Sequence, residues 1–325
     1  MIQTGLAEDT DSFELEQNWS GYRSRYWAAM IKPEGAMNVA LRTGETQVEA
    51  QLDLSSTSAG PTTFMIYTGP VEPMALKAAH AGLEGLMYSG LWFWLRWVCQ
   101  LLFVLLSIIQ TVVPNWAVAI VVMSLLVHLL MRPLNRFAER LQDDVRNTES
   151  RIAPRLKEIK QNYKGAEQAE RILALYKAEK VSPLYSMKSM AGVLVIIPVF
   201  IGAFNMLSEN IWLSGESFLW IRDLSLTDAF AELPFVLPFL GSDLNLLPFV
   251  MIALSISASI LRNSKETNSD LRSREIRNLC FMSLVFFVLF YTFPAGMVLY
   301  WVVNNLISLL STLTQKDRTL NLEAD

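Results

Sequence analysis

Ser124, His128 and Arg132 stand four residues apart in a segment otherwise built mainly of Val, Leu, Ile and Met. That spacing puts all three on one face of a helix. A second row, Tyr300, Asn304 and Ser308, repeats the pattern near the far end of the chain, with Trp301 and Asn305 beside it. Asn205 and the serines Ser255, Ser257 and Ser259 punctuate other apolar runs. None of these residues forms a nucleophile–base pair, and no glycine-rich phosphate loop accompanies them. Such rows can do hydrogen-bond chemistry, either between helices or toward water and a polar guest in a cavity. For the serines the interhelical bond is the simpler reading. For the His128 row a water-filled cavity is, because a histidine midway along an apolar helix needs water or a partner.

The elements that must position these residues are membrane spans. Of the 325 residues, 52% are hydrophobic and 18% charged, against about 25% charged in an ordinary soluble domain. The charge is gathered into loops between long apolar runs, the pattern of helices that satisfy their own backbone in lipid. A net charge of −4 gives no basic character for nucleic acid. Cys99 and Cys280 lie far apart in apolar segments and read as buried structural thiols. His80 and His128 are the only histidines, too few for a His-based metal site, and no cofactor is expected.

The expected fold class is an all-α polytopic membrane protein behind a small N-terminal β-rich module. From 37 to 67 apolar residues alternate (Val39 and Leu41; Val48, Ala50, Leu52 and Leu54; Met65 and Tyr67), interrupted by Gly44, Gly60 and Pro61. Period two with such breaks predicts antiparallel strands. Spans are predicted near 116–131, 191–207 and 246–261. The run 279–313, broken at Pro294-Ala295-Gly296, makes two more. Two readings of 91–113 are open. It is long enough to span, but Trp92, Trp94 and Trp97 around Arg96 also suit an amphipathic helix at headgroup level, which is the preferred reading.

Charge sets the expected orientation. Cations crowd 132–188, from Arg132 through Arg155, Lys160 and Arg171 to Lys188. More follow at 262–277 and in the tail, whereas 208–245 holds only Arg222. The positive-inside rule puts the first two loops and the C-terminus in the cytoplasm and 208–245 outside. With 91–113 interfacial, the N-terminal module is then outside. The N-terminus lacks the basic and apolar regions of a secretory signal. An outside module therefore implies either a preceding span absent from this sequence or translocation without one.

Residues 134–182 are charged and rich in helix formers. Leu141 and Val145 share one face, as do Ile152, Leu156 and Ile159. After a turn at Gly165, Ile172, Leu173 and Tyr176 resume the pattern. This predicts a helical hairpin, with a solvated coiled-coil linker as the bland alternative.

Local motifs then bring in a family. The stretch from Ala174 through Tyr176, Lys177 and Lys180 to Ser182-Pro183 resembles the end of the cytoplasmic hairpin of YidC-type membrane protein insertases, which usually have Asn where Ser182 stands. Phe218-Leu219-Trp220-Ile221-Arg222-Asp223-Leu224-Ser225 is similar to an external segment of that family. Phe293-Pro294-Ala295-Gly296-Met297 is similar to the hairpin opening its last span. Pro133-Leu134, Pro154 and Pro198-Val199-Phe200 fall in matching order. The resemblance covers about 90–316, and more weakly 18–80 as the end of a periplasmic β-domain.

The resemblance implies a five-helix core with a hydrophilic groove open to cytoplasm and lipid, and an inner-membrane location. It implies newly made membrane proteins as clients, the lipid bilayer as surroundings, and the Sec translocon and ribosome as further partners. No nucleic acid, small-molecule substrate or enzymatic step is implied. The implied division is 1–85 an extracytoplasmic β-rich module, 86–114 the interfacial helix, 115–316 the core with hairpin 134–182, and 317–325 a cytoplasmic tail. The implied groove residues are Ser124, His128, Arg132, Tyr300, Trp301, Asn304 and Asn305, and the hairpin residues Tyr176, Lys177 and Lys180. The family's groove arginine falls on His128, which replaces a permanent cation with a group that can be neutral. Its usual glutamine before the third-span proline falls on Ile196. These departures keep two alternatives in view: a degenerate relative acting as assembly factor or chaperone, and a small-solute transporter or channel. The paired broken helices a transporter would show are not seen.

Overall fold

The computed structural model describes residues 11–15, 19–33, 38–43, 48–53, 63–182, 185, 187–238, 240–263 and 269–324. Leu54, Gly44, Gly60, Pro61 and Pro183 therefore lie outside the described residues. Backbone contacts divide the chain into two units, Met1–Val104 with Gly202–Gly215, and Leu105–Ile201 with Glu216–Asp325.

The first unit is built on strands β1 (Asp11–Leu15), β2 (Trp19–Arg23), β3 (Trp27–Pro33), β4 (Asn38–Thr43), β5 (Val48–Asp53) and β6 (Phe64–Pro70). β1, β2, β3 and β6 form one antiparallel sheet in that order, while β4 and β5 pair as a separate hairpin between β3 and β6. The alternation read from sequence corresponds to β4, β5 and β6. β1 to β3 escape that reading. All five residues of β2 are buried, so it has no polar face to produce a period of two. Gly21 lets β2 lie close to β3, since a Cβ there would meet the Ala29 carbonyl oxygen at 2.1 Å. Helix α1 (Pro73–Ala79) opens with Pro at its first position, where no amide donor is missed. A 3₁₀ turn, Ala81–Leu86, follows, with the His80 imidazole accepting from the Gly82 amide. Trp19, Met30, Leu76, Leu83 and Leu86 are all but inaccessible and form the core of this module.

Helix α2 (Phe93–Val112) buries Leu95, Cys99, Leu102, Leu106 and Ile109 along one face. Its opposite face exposes Phe93, Trp97, Leu101, Val104, Ile108 and Val112. Both faces of this helix are thus apolar. At its start the Arg96 guanidinium turns back and donates to the carbonyls of Leu91 and Ser89 at 2.9 and 2.8 Å.

The second unit begins with α3 (Trp116–Asn162), a 47-residue helix that continues through Pro133 and Pro154. The span and the first arm of the hairpin, read from sequence as separate elements, are thus one continuous helix. Asn115 caps it through its side-chain oxygen and the Val118 amide, a local signal of the usual kind. The chain turns at Gly165 (φ +65°) into α4 (Gly165–Ala178). One expectation on α4 is corrected. Leu175 is buried and Leu173 is 54% exposed, because Ile172, Leu175 and Tyr176 fall at the i, i+3, i+4 spacing of a single face and Leu173 does not.

Helix α5 (Met187–Ser208) is followed by a 3₁₀ turn, Ile211–Leu213, and strands β7 (Ala231–Leu237) and β8 (Gly241–Leu244), a hairpin not anticipated from the sequence. Helices α6 (Leu247–Asn263), α7 (Ser269–Tyr291) and α8 (Ala295–Ala324) complete the chain. α8 packs on both α3 and α6, and α6 on α7. Among the described residues, three helices are long and apolar enough to cross a membrane: Phe93–Val112, Trp116–Asn162 and Ala295–Thr314. Ile197–Ser208, Leu247–Leu261 and Cys280–Tyr291 are shorter apolar stretches. Cys99 is buried as expected, whereas Cys280 is exposed along with its α7 neighbours Phe281 and Met282, so the expectation of two buried thiols is corrected.

Candidate functional site

The first polar row changes environment along α3. Ser124 is fully buried and its hydroxyl donates to the Ile120 carbonyl one turn back, at 2.8 Å. His128, one turn on, is half-buried, and Arg132 is exposed. The row thus runs from a closed, internally satisfied position to an open, charged one.

The second row stands on α8, which packs directly against α3. Tyr300 is buried, and the Asn304 side-chain amide donates to its carbonyl at 2.8 Å. Ser308, the outermost member, is exposed. Asn305 reaches across to α6, donating to the Met251 carbonyl at 3.3 Å. An asparagine in an apolar helix thereby links two helices through a free carbonyl lone pair. Trp301 is placed differently from its polar neighbours. Its ring lies 4.7 Å from Phe200 and 5.5 Å from Phe290, inside an aromatic cluster. Ser257 donates to its own helix at Ala253.

In the helical hairpin, Glu179 accepts from Arg155 at 2.7 Å and faces Arg151 at 3.5 Å, tying α4 to α3. Tyr176 is half-buried with its ring 6.2 Å from Tyr185. Lys177 and Lys180 are exposed, and Lys180 has a left-handed φ of +53° where the chain leaves α4.

Sequence reasoning missed a polar lock at the other end of this unit. Asp228 is 4% exposed, and one of its oxygens accepts from the amides of Leu246 (2.6 Å) and Leu247 (2.9 Å) and from the Trp220 indole (3.2 Å). It therefore caps α6 from eighteen residues away. Asn245 accepts from the Ala229 amide and donates to the Tyr291 carbonyl at the end of α7. The Tyr291 hydroxyl donates to the Asp243 carbonyl. The amides of Ala295 and Gly296, opening α8, donate to the carbonyls of Leu226 and Leu224. Asn245, two residues before α6, bonds to Ala229 and Tyr291 and not to an α6 amide, so its role was not readable from its place in the sequence. Asp228 left no signal either, because its partners are distant in the chain.

Among the described residues no three His, Cys, Asp or Glu side chains come together to hold a metal. The arrangement offers hydrogen-bonding groups inside apolar helices, graded from buried to open, and a bundle end closed by satisfied polar groups.

Comparison with known proteins bears on this arrangement. A family model described as 60Kd inner membrane protein matches residues 108–321. A protein of Syntrophus aciditrophicus (strain SB) named membrane protein insertase YidC is 26% identical over 313 residues, 93% of this chain and 52% of that protein. One of the same name from Methylobacillus flagellatus is 33% identical over 247 residues, 75% of this chain and 40% of that protein. A crystal structure of an active YidC insertase aligns with a TM-score of 0.47 and 21% identity, covering 93% of this chain and 64% of that one. The chain spans about half the length of the curated relatives it matches.

Proposed function

We infer the function from a plain premise: this chain belongs to the 60Kd inner membrane protein family, the YidC family. In our reading it is a bacterial inner-membrane insertase that receives newly made membrane proteins and releases their apolar segments into lipid. It works by binding and release, with no covalent step. The observation that carries this reading is the pair of polar rows inside the apolar, mutually packed helices α3 and α8. A groove between them would lower the desolvation cost of moving a short polar tail across the membrane, while the client's apolar part partitions into the bilayer.

The finer assignments belong to the same proposal. The five-helix core would comprise the span of α3, then α5, α6, α7 and α8, with the α3–α4 hairpin and the C-terminal tail in the cytoplasm and the 208–245 connection outside. Residues 86–114 would lie at the lipid interface, and 1–85 would form the outer module. The groove would be lined by His128, Arg132, Asn304 and Asn305, with buried Ser124 and Tyr300 at its closed end and Trp301 bracing its wall from the aromatic cluster. Tyr176, Lys177 and Lys180 would help recruit clients, and the Sec translocon and ribosome are proposed partners. The dense cations of 132–188 support this orientation.

The test places photo-crosslinkers at Ser124, His128 and Tyr300 during synthesis of a single-span client. Adducts from these positions, and none from the outward Leu125 and Leu129, are expected. Absence of adducts at all three would overturn the groove assignment.

A further inference from the structure

The β7–β8 hairpin is an apolar ribbon with no protein covering its exposed residues. From Pro234 to Leu240 the sequence reads Pro-Phe-Val-Leu-Pro-Phe-Leu, without one polar side chain. Phe235 is 57% and Val236 75% exposed, and Phe230 at the base is 52% exposed. Large apolar side chains such as Phe230, Phe235 and Val236 facing water are unfavourable, and exposed apolar groups gathered in this way mark an interaction site.

What lies beside it follows from how its base is held. The lock described above pins the hairpin to three helix ends at once: the start of α6 through Asp228, the end of α7 through Tyr291, and the start of α8 through the Leu226 carbonyl. The α8 stretch Ala295–Thr314 is long and apolar enough to cross a membrane, and its first residue is the one whose amide donates to Leu226. The hairpin base is therefore held at the first residue of a helix long and apolar enough to cross a membrane. A strand of seven residues reaches about 23 Å, so the tip lies within that distance of the start of α8. Phe249 on the first turn of α6 is a further exposed aromatic at this end of the unit.

We propose that the β7–β8 hairpin inserts its tip, Phe235 and Val236 foremost, into the acyl region of the adjacent leaflet as a membrane anchor. Glu232 and Asp243 are the charged residues of 231–244, and there is no cation among them. Insertion therefore rests on apolar burial and not on attraction to anionic headgroups. This inference requires α6 and α8 to cross the bilayer, but not that a groove exists or that clients are inserted.

The experiment uses the full chain with Cys99→Ala and Cys280→Ala, carrying Phe235→Cys or Val236→Cys labelled with an environment-sensitive fluorophore and reconstituted into phosphatidylcholine vesicles. Expected is quenching by acyl-chain-brominated phosphatidylcholine and at least threefold weaker quenching by aqueous iodide than in the denatured protein. Adding anionic lipid or 0.5 M salt (roughly a 4 Å screening length) should leave both unchanged. Free iodide quenching at both positions would overturn the proposal. So would shielding from iodide without bromolipid quenching, which would mean that a second copy or another protein covers the hairpin. Client crosslinking from His128 is scored separately, so failure of one reading does not sink the other.

Discussion

The Arg23 guanidinium of β2 and the Glu209 carboxylate just beyond α5 form an ion pair, 2.5 Å apart, that water scarcely reaches. Their side chains are 8% and 17% exposed. Arg23 also donates to the Leu86 carbonyl at 2.7 Å and the Ser89 hydroxyl at 3.0 Å, and Glu209 accepts from the Tyr88 amide. One pair thus ties the sheet, the 81–91 segment and the end of α5 within the first unit. A buried pair with its remaining hydrogen bonds satisfied is costly to break on one side, because the surviving charge is left unsolvated.

Glu209→Ala should therefore destabilise the first unit by about 3 kcal/mol, the lower part of the range for halving a buried pair. The double variant Arg23→Leu, Glu209→Leu should lose less than the sum of the two single changes. Limited proteolysis and thermal unfolding in detergent read both. Strict additivity would mean that the pair is not coupled.

Tyr88 is fully buried in the same unit at a left-handed φ of +52°. Burial raises its phenol well above the usual tyrosine range, with the neighbouring Cys99 and Glu209 adding to the effect. A folded pKa above the unfolded one means that this contribution is whole below the unfolded value, about 10, and is lost as pH rises beyond it. Stability of the first unit should hold up to that pH and fall above it, and Tyr88→Phe should blunt the fall. An unchanged alkaline profile in Tyr88→Phe would count against this assignment.

Asp228 should behave as a remote helix cap. Asp228→Ala strips the acceptor from two α6 amides and the Trp220 indole, which should cost about 2 kcal/mol, the upper end for a lost cap. Asp228→Asn, which keeps an acceptor oxygen, should cost less. Thermal unfolding followed by tryptophan fluorescence distinguishes them.

Gly21→Ala should push β2 and β3 apart, since the nearest atoms to a new Cβ are backbone. A loss of about 1–3 kcal/mol, as for overpacking in a core, is expected as faster proteolysis of the N-terminal module. Arg155→Ala is the contrast. Its partner Glu179 sits in a largely exposed pair, so the hairpin should lose under about 1 kcal/mol.

His128→Arg tests whether the proposed groove needs a permanent cation. In a bacterium depleted of its own insertase, both forms should sustain growth if the half-buried imidazole suffices, with the arginine form at least as effective. Rescue by the arginine form alone would show that His128 limits the activity.

Much of the fold was written in residue spacing. Apolar runs of span length, the cap at Asn115, the turn at Gly165 and the period two of β4 to β6 are local patterns, and each element follows from residues near it in the chain. The two polar rows were legible for the same reason, because four-residue spacing on a helix is a local property. Three things only the tertiary structure decided. It seated Trp301 among Phe200 and Phe290 rather than with its polar neighbours. It also brought Asp228, Asn245 and Tyr291 together from three segments, and Arg23 to Glu209 across most of the first unit. Those choices depend on which distant surface each side chain meets. Composition and periodicity set what a residue can do, and packing decides which partner it does it with.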